Sequence, residues 1–586
     1  MAMSIAANRR PRPVRAAALS KLPPGSRTTV QLDGHVIALF NTPQGIFAVD
    51  NRCPHMGFPL DRGTVKDCIL TCHWHHARFD LGSGGTFDQW ADDVRAYPAE
   101  LRDGAVWLDL AERDDPQQRA LRRLSDGLER DIPLVIAKSA IGLLDGDADP
   151  RAALRTGLEF GAHHRRDGFG AGLTTLVCMA NLVPWLRTED RARALYHGLA
   201  AVAEDCARQP PRFAVRALPG DGADAPRLKQ WLRQFVEVRD AEGAERCIAT
   251  AVREGLDAPT IADMMFAAAT DHRYLTIGHV LDFTNKAFEA LDRAGWDLAE
   301  PLLTSLARSY ARGDRMEESN AWRNPIDLIA RLEGAFENLP AALDHGRTAN
   351  AASPSREQLA AVVLGDDPQA SIDAMLEALH AGLSPVELAG AMVYAAALRI
   401  AQFHTSNEFG DWDRAHHTFT FANAVHQALA RVESPELVRG VFDAAMSVYL
   451  DRFLNVPVAR LPNPNGSLRR PPEVLDALPA LLDRQQQVNE AAISVAEYFA
   501  GGGEPRELIA QLGHLLLRED RDFHSIQSLE AAIRQFSHLG ATAAGTHMLL
   551  ATARYLAAHS PTVRAEEQTY RIALRLHRGE HLFEGA

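Results

Sequence analysis

Cysteine is scarce, with six residues in a chain of 586. That is too few to staple a disulfide scaffold of this size. The question becomes which cysteines have a particular chemistry. No apolar run approaches the roughly 18 residues of a membrane-spanning helix. Basic residues are outnumbered, 62 Lys+Arg against 76 Asp+Glu, a formal balance of −14. That deficit argues against a nucleic-acid coat and against binding to an anionic membrane surface. The N-terminal stretch holds Arg9-Arg10 but no long apolar segment after it, because "AAALS" runs into Lys21 and Pro23-Pro24. A twin-arginine signal needs that segment. Residues 1–25 are therefore expected to be a disordered basic N-terminus, and the protein is expected to be cytoplasmic.

A chain this long exceeds one hydrophobic core, so two or more domains are expected. Composition divides it. Over residues 26–110 the pattern is that of short strands. Val36–Phe40 and Ile46–Val49 are apolar and rich in β-formers, joined by a loop with Pro43 and Gly45, which reads as a hairpin. "GAVWLDL" near residue 106 reads as a further strand. Residues 111–131 are charged and read as a linker or exposed helix. From 132 to 586 strand signals vanish and apolar residues recur at helical spacing. Leu228, Trp231, Leu232, Phe235 and Val236 share one helix face, with Pro226 suited to the first turn. The fold class expected is multidomain, a small all-β domain followed by a large all-α domain of internal helical repeats.

The densest chemical signal is "RCPHMG…LTCHWHHARFD", which reads Cys53-x-His55, sixteen residues, then Cys72-x-x-His75. Two thiolates on one iron and two imidazoles on the other hold a [2Fe–2S] cluster, and the neutral imidazoles raise its potential. A Cys₂His₂ zinc site is the alternative, but the ligand order and flanking strands do not suit a zinc finger. The stretch resembles the Rieske family over about residues 20–110, of the ferredoxin and ring-hydroxylase type. Respiratory Rieske proteins carry an extra cysteine pair, and Phe58 and Trp74 stand at those positions here, which implies a lower potential. His76 stands where the family usually has glycine. Cys68 is expected to be a buried strand cysteine. The cofactor-binding and metal-ligating residues implied are thus Cys53, His55, Cys72 and His75.

Rieske oxygenases follow this domain with a mononuclear iron held in an E/D-x-x-H-x-x-x-x-H pattern, which is absent here. A di-iron bundle needs two Glu-x-x-His pairs, and Glu377-x-x-His380 stands alone. The helical part nevertheless repeats. Xaa-Pro helix starts recur at Pro150, Pro259, Pro385 and Pro505, with copies beginning near 135, 228, 355 and 485. "GHVLDFTNKAFEAL" (278–291) aligns with "HHTFTFANAVHQAL" (416–429) at His279/His417 and Asn285/Asn423. A fourth copy keeps His524. The first offers Asn181 and no histidine. Most of the 23 histidines lie beyond residue 131, many at loop-to-helix junctions. If the repeats close on a shared cavity, His272, His279, His417 and His524 are the candidate catalytic residues, and a second metal or haem becomes possible. "HRYLTIGHVLDFTNKAFEAL" is also similar to the questin-oxidase-like helical oxygenases. That resemblance covers short segments, and the aromatic polyketide-like substrate it implies is not carried over.

No dinucleotide or phosphate-cradling loop is found, so reducing equivalents are expected from an external NAD(P)H-dependent reductase or a ferredoxin. The expected function is a Rieske oxidoreductase, oxygenase-like, whose cluster passes electrons to a histidine-lined site acting on a small molecule. No nucleic-acid or membrane partner is expected, and an oligomer is allowed. The alternative is a non-catalytic electron carrier or redox sensor whose helical repeats bind a partner protein.

Overall fold

The computed structural model describes residues 12–111, 115–144, 149–220, 222, 224–349, 352–464, 468–580 and 582. It divides into two compact units. One is residues 1–149 together with 568–586; the other is residues 150–567.

The first unit carries three small antiparallel sheets. Arg27–Leu32, His35–Thr42, Gly45–Asp50 and Ala96–Tyr97 lie side by side in one; Pro13–Ala18, Ala105–Asp109 and Ala99–Arg102 form the second; Thr64–Lys66, Ile69–Thr71 and Arg78–Asp80 form the third. The strand His35–Thr42 is buried on both faces. Its side chains alternate between two cores, as a period of two requires. Ala38 and Phe40 join Val49, Leu60, Leu70, Phe79 and the two ligand cysteines. Ile37 and Leu39 join Leu22, Tyr97, Val106 and Leu108. Each such buried side chain contributes roughly 1.5–3 kcal/mol. One core of this sheet is thus the wall of the cysteine site.

The first unit departs from the sequence expectations at two places. Of the first 25 residues, 1–11 lie outside the described residues, whereas Pro13–Ala18 pairs with Ala105–Asp109. Cys68 is not a buried strand residue. It is half-buried in the turn between Thr64–Lys66 and Ile69–Thr71, where Asp67 and Cys68 have φ of 52° and 61°. Two residues with positive φ make the tight turn that matches strand twist. Residues 111–131, read as a linker or exposed helix, hold the helix Pro116–Glu129, which packs on the next helix, Pro133–Leu143. The Asp115 carboxylate caps the first by accepting from the Gln117 amide, with Pro116 at its first position. Leu124 and Leu128 are buried on one side of it.

The second unit is helical. Ala225–Glu237 buries Leu228, Leu232 and Val236, the expected face. Ala171–Leu182, His279–Ala294, Phe409–Arg431 and Phe523–Leu539 form its centre. Each of these four helices packs on two of the others, so they form a closed ring in the order 171–182, 279–294, 409–431, 523–539. They are the helices that the repeat pattern sets in correspondence. Among the described residues no helix is long and apolar enough to cross a membrane.

Candidate redox and metal sites

The two cysteine-histidine loops are built alike. The Cys53 amide donates to the Phe58 carbonyl at 2.8 Å, and the Cys72 amide donates to the Ala77 carbonyl at 2.8 Å. Each loop thus closes on itself and presents one sulfur and one imidazole. Gly57, at φ 84°, supplies the left-handed turn of the first loop. The second loop makes the same kind of turn at His76, φ 64°, at the position where the resemblance leads one to expect glycine. His76 is exposed there.

Cys53 and Cys72 are buried and share a hydrogen bond. That bond pushes Cys72 down to about 6 and pushes Cys53 up, so the pair gives up its first proton readily. The His55 and His75 rings meet edge to face, 4.8 Å apart. Burial, with help from His75 and Lys138, pushes His55 down to about 4, so its imidazole is neutral at neutral pH. His55 Nδ1 is buried without a hydrogen-bond partner. Two thiols on one side, two imidazoles on the other and an orphaned ring nitrogen fit a [2Fe–2S] cluster. His75 is exposed, so the imidazole side of the site faces solvent.

In the helical unit, three of the four histidines singled out from the sequence come together. His279 begins its helix, His417 lies inside Phe409–Arg431, and His524 lies in the first turn of Phe523–Leu539. Their ligand nitrogens all lie within 4.8 Å of one another. His279 Nε2 and His417 Nε2 are 3.1 Å apart. His417 Nδ1 sits 2.6 Å from the Asp413 carbonyl, which holds the proton on Nδ1 and leaves Nε2 its lone pair. His524 Nδ1 is 3.7 Å from the Asp522 carboxylate, and its Nε2 is buried without a partner. Nitrogens about 2.1 Å from one tetrahedral ion stand roughly 3.4 Å apart, so small shifts bring these three onto a common ion. Burial first, then the neighbouring rings, pushes His279 down to about 3 and His417 to about 4. Neutral imidazoles are the form a metal binds. His416, fully buried beside His417 and His524, has neither ring nitrogen paired.

The backbone leading into His279 is strained. Tyr274, Thr276 and Ile277 have φ of 46°, 48° and 52°. For β-branched residues that costs on the order of 1–3 kcal/mol each. Gly278 completes the turn, and a Cβ there would meet Phe421 and Tyr274 at 2.8 Å. The Thr276 amide donates to the Asp314 carbonyl at 2.8 Å, which holds the turn in place.

His272 does not join the three. Its Nδ1 lies 2.8 Å from Glu317 and its Nε2 3.3 Å from Glu237, so both ring nitrogens are occupied by carboxylates. His163 and His164 bond to carbonyls one turn back on their own helix.

Sequence reasoning missed a charged layer that is part of the same ring. Lys286 is buried and bonds Glu289 at 3.0 Å and Glu530 at 2.7 Å. Asn181 donates to both carboxylates, at 2.7 and 2.9 Å. Asp282, fully buried, accepts a hydrogen bond from Gln527. Asp282 lies three residues after His279 and Gln527 three after His524, so the pair comes one helical turn after those two histidines. A cavity of about 390 Å³ is lined by Asp522 and Phe523, the two residues before His524, together with Thr175, His197 and Arg521 among others. The Phe523 ring centroid is 5.6 Å from that of His279 and 4.0 Å from that of His524.

Comparison with known proteins bears on the first unit. A family model for the Rieske [2Fe-2S] domain matches residues 12–98. The ferredoxin component of the naphthalene 1,2-dioxygenase/salicylate 5-hydroxylase systems of Ralstonia sp is 29% identical over 96 residues, 16% of this chain and 92% of that protein. The 3-phenylpropionate/cinnamic acid dioxygenase ferredoxin subunit of Photorhabdus laumondii subsp. laumondii is 31% identical over 96 residues, again 16% of this chain and 90% of that protein. Among solved structures, the ferredoxin of carbazole 1,9a-dioxygenase from Nocardioides aromaticivorans IC177 aligns with 28% identity and a TM-score of 0.16, covering 17% of this chain and 96% of that one. Through residues 12–98, where the ligand loops carry two thiols and two imidazoles, the chain belongs to the Rieske [2Fe–2S] family.

Proposed function

We propose that the protein is an oxygenase-like oxidoreductase in which electrons accepted at the Rieske site are used at a transition-metal ion held by His279, His417 and His524. The observation that carries this reading is the convergence of three imidazoles from three helices of one ring. Three protein nitrogens leave a coordination position open, which is the arrangement of catalytic rather than structural metal sites. The cavity beside Asp522 and Phe523 offers a small molecule a place next to that position. A bound [2Fe–2S] cluster supplies one electron at a time. Around it, Cys53 and Cys72 hold the buried side and His55 and His75 the side open to a donor. The ferredoxin relatives serve oxygenase systems, which agrees with a soluble cytoplasmic protein fed by an external reductase.

The test is iron, other metals and acid-labile sulfide per chain after anaerobic purification, in the wild type and in Cys72→Ser. Metal in excess of sulfide that survives Cys72→Ser supports the reading. Two irons, two sulfides and no further metal, with none taken up from added Fe(II), would favour the electron carrier or sensor instead.

A further inference from the structure

Helix Pro133–Leu143 lies outside the matched Rieske region, yet it reaches the first ligand loop. The Lys138 ammonium donates to the Pro54 carbonyl, the peptide between ligands Cys53 and His55. Its other partner is Asp92, at 2.6 Å. Asp92 in turn accepts from Arg123 at 2.5 Å, and Arg123 also donates to the Ala91 carbonyl at 3.1 Å. All three charged side chains are about four-fifths buried. Arg123 also pairs with Asp126 at 3.1 Å, so its charge is met twice, whereas Lys138 shares Asp92 and brings its ammonium onto the ligand loop, in a place where water screens poorly. A fixed cation on the ligand loop favours an electron added to the site, and an anion beside that cation opposes the effect.

We infer that Lys138 is a positioning and tuning residue for the Rieske site: its fixed positive charge on the Pro54 carbonyl holds the first ligand loop and raises the reduction potential, while Asp92 trims that effect. The inference goes beyond the matched domain, because the charge comes from a helix appended to it. It rests on the Rieske cluster alone and not on the proposed metal at the three histidines. It also gives the charged segment after residue 111 a chemical purpose: its Arg123 and the following Lys138 are the two cations of the clamp.

The test uses the full chain with its cluster assembled. Reduction potentials are measured by dichroism- or EPR-monitored titration in wild type, Lys138→Met and Asp92→Asn. Lys138→Met keeps the length and apolar stem and removes the charge. It is expected to shift the oxidised/reduced equilibrium about tenfold toward oxidised, ~59 mV for one electron. Asp92→Asn keeps the shape, leaves Lys138 without its carboxylate partner while Arg123 keeps Asp126, and is expected to shift the equilibrium the other way. Opposite signs are the signature, since loosening of the loop moves both variants in the same direction. Lys138→Gln, which keeps a donor for the Pro54 carbonyl, is expected to retain the wild-type cluster spectrum but follow Lys138→Met in potential. Shifts of the same sign, or all variants within twofold of wild type, would overturn the inference. Metal at His279, His417 and His524 is assayed separately, so failure of either idea leaves the other readable.

Discussion

The sharpest prediction concerns Asp522. Its carboxylate does two jobs. One oxygen accepts the Ser525 amide at 3.0 Å and caps helix Phe523–Leu539; the other faces His524 Nδ1 at 3.7 Å. Burial opposes its ionisation, but the His524 ring and the Ser525 amide and hydroxyl outweigh that and hold it well below the usual carboxylate range. A carboxylate behind a metal-ligating imidazole orients the ring and makes it a better donor, and losing one typically costs 10–100-fold in metal affinity. The contact here is longer than a full hydrogen bond, so the lower end applies, about tenfold or ~1.4 kcal/mol. Asp522→Asn isolates this effect, because asparagine caps helices about as well as aspartate. The assay is Co(II) uptake by the metal-stripped helical site, in competition with a chelator. Expected are a tenfold weaker affinity in Asp522→Asn, an unchanged melting temperature, and near-total loss of binding in His417→Ala. Affinity within twofold of wild type for Asp522→Asn would refute the orienting role. Retained binding in His417→Ala would refute the metal site itself.

Two further predictions concern the charged layer. Lys286→Met leaves Glu289 and Glu530 with only the longer contacts to Arg534, at 3.5 and 3.4 Å. Breaking a buried ion network this way costs about 3–5 kcal/mol. Without Lys286, Glu289 loses the stronger of the two cations that hold it down against burial, so the variant's deficit in a urea melt should shrink toward acid pH and grow toward neutral. A loss below about 1 kcal/mol, or one independent of pH, would show that the network is not holding the ring together. Asp282 is pushed up to about 7 by burial, against the pull of Lys286 and Gln527. Between about pH 4 and 7 the folded chain then keeps a proton that the unfolded chain has lost. Stability should fall as pH rises through that window, by up to about 1.4 kcal/mol per unit. Asp282→Asn mimics the protonated carboxyl and should flatten that slope, overtaking the wild type by pH 8. Parallel stability curves for the two would contradict the shift.

The Rieske domain and its candidate ligands were legible because a cluster fixes which residue types must lie two and three positions apart, and because the β-pattern on either side was plain. Residues 111–131 were not, since a run of charges looks like a solvated segment until Asp92 is found opposite Arg123 and Lys138. The charged layer was hidden for a related reason. His279, Asp282, Lys286 and Glu289 make a polar stripe at helical spacing, the usual mark of a face in water. What buries it is Glu530, 244 residues further along the chain from Lys286. His272 looked equivalent to its neighbours in sequence, but Glu237 and Glu317 claim it, and neither is adjacent to it in the chain.

The repeat register turns out to be a register of layers. His279 stands six residues before Asn285 and His417 six before Asn423; six residues after His524 is Glu530, and six before Asn181 is Thr175. The register thus sets Thr175 in correspondence with His279, His417 and His524, and Asn181, Asn285, Asn423 and Glu530 in correspondence with one another. In that second set Asn181 donates to Glu530, Asn285 donates to Glu289, and Asn423 accepts from Gln535. A ring that closes head to tail places equivalent positions at equal height, so a histidine kept in three copies becomes a cluster without any local motif announcing it. The copy that lacks the histidine matters as much. Thr175 is the smaller side chain at the fourth corner, and it lines the cavity that also reaches Asp522 and Phe523. A fourth imidazole there would close the coordination of a bound ion and make the site structural. Threonine offers no nitrogen at that position, so an ion held by the three imidazoles would keep a coordination position for a second molecule.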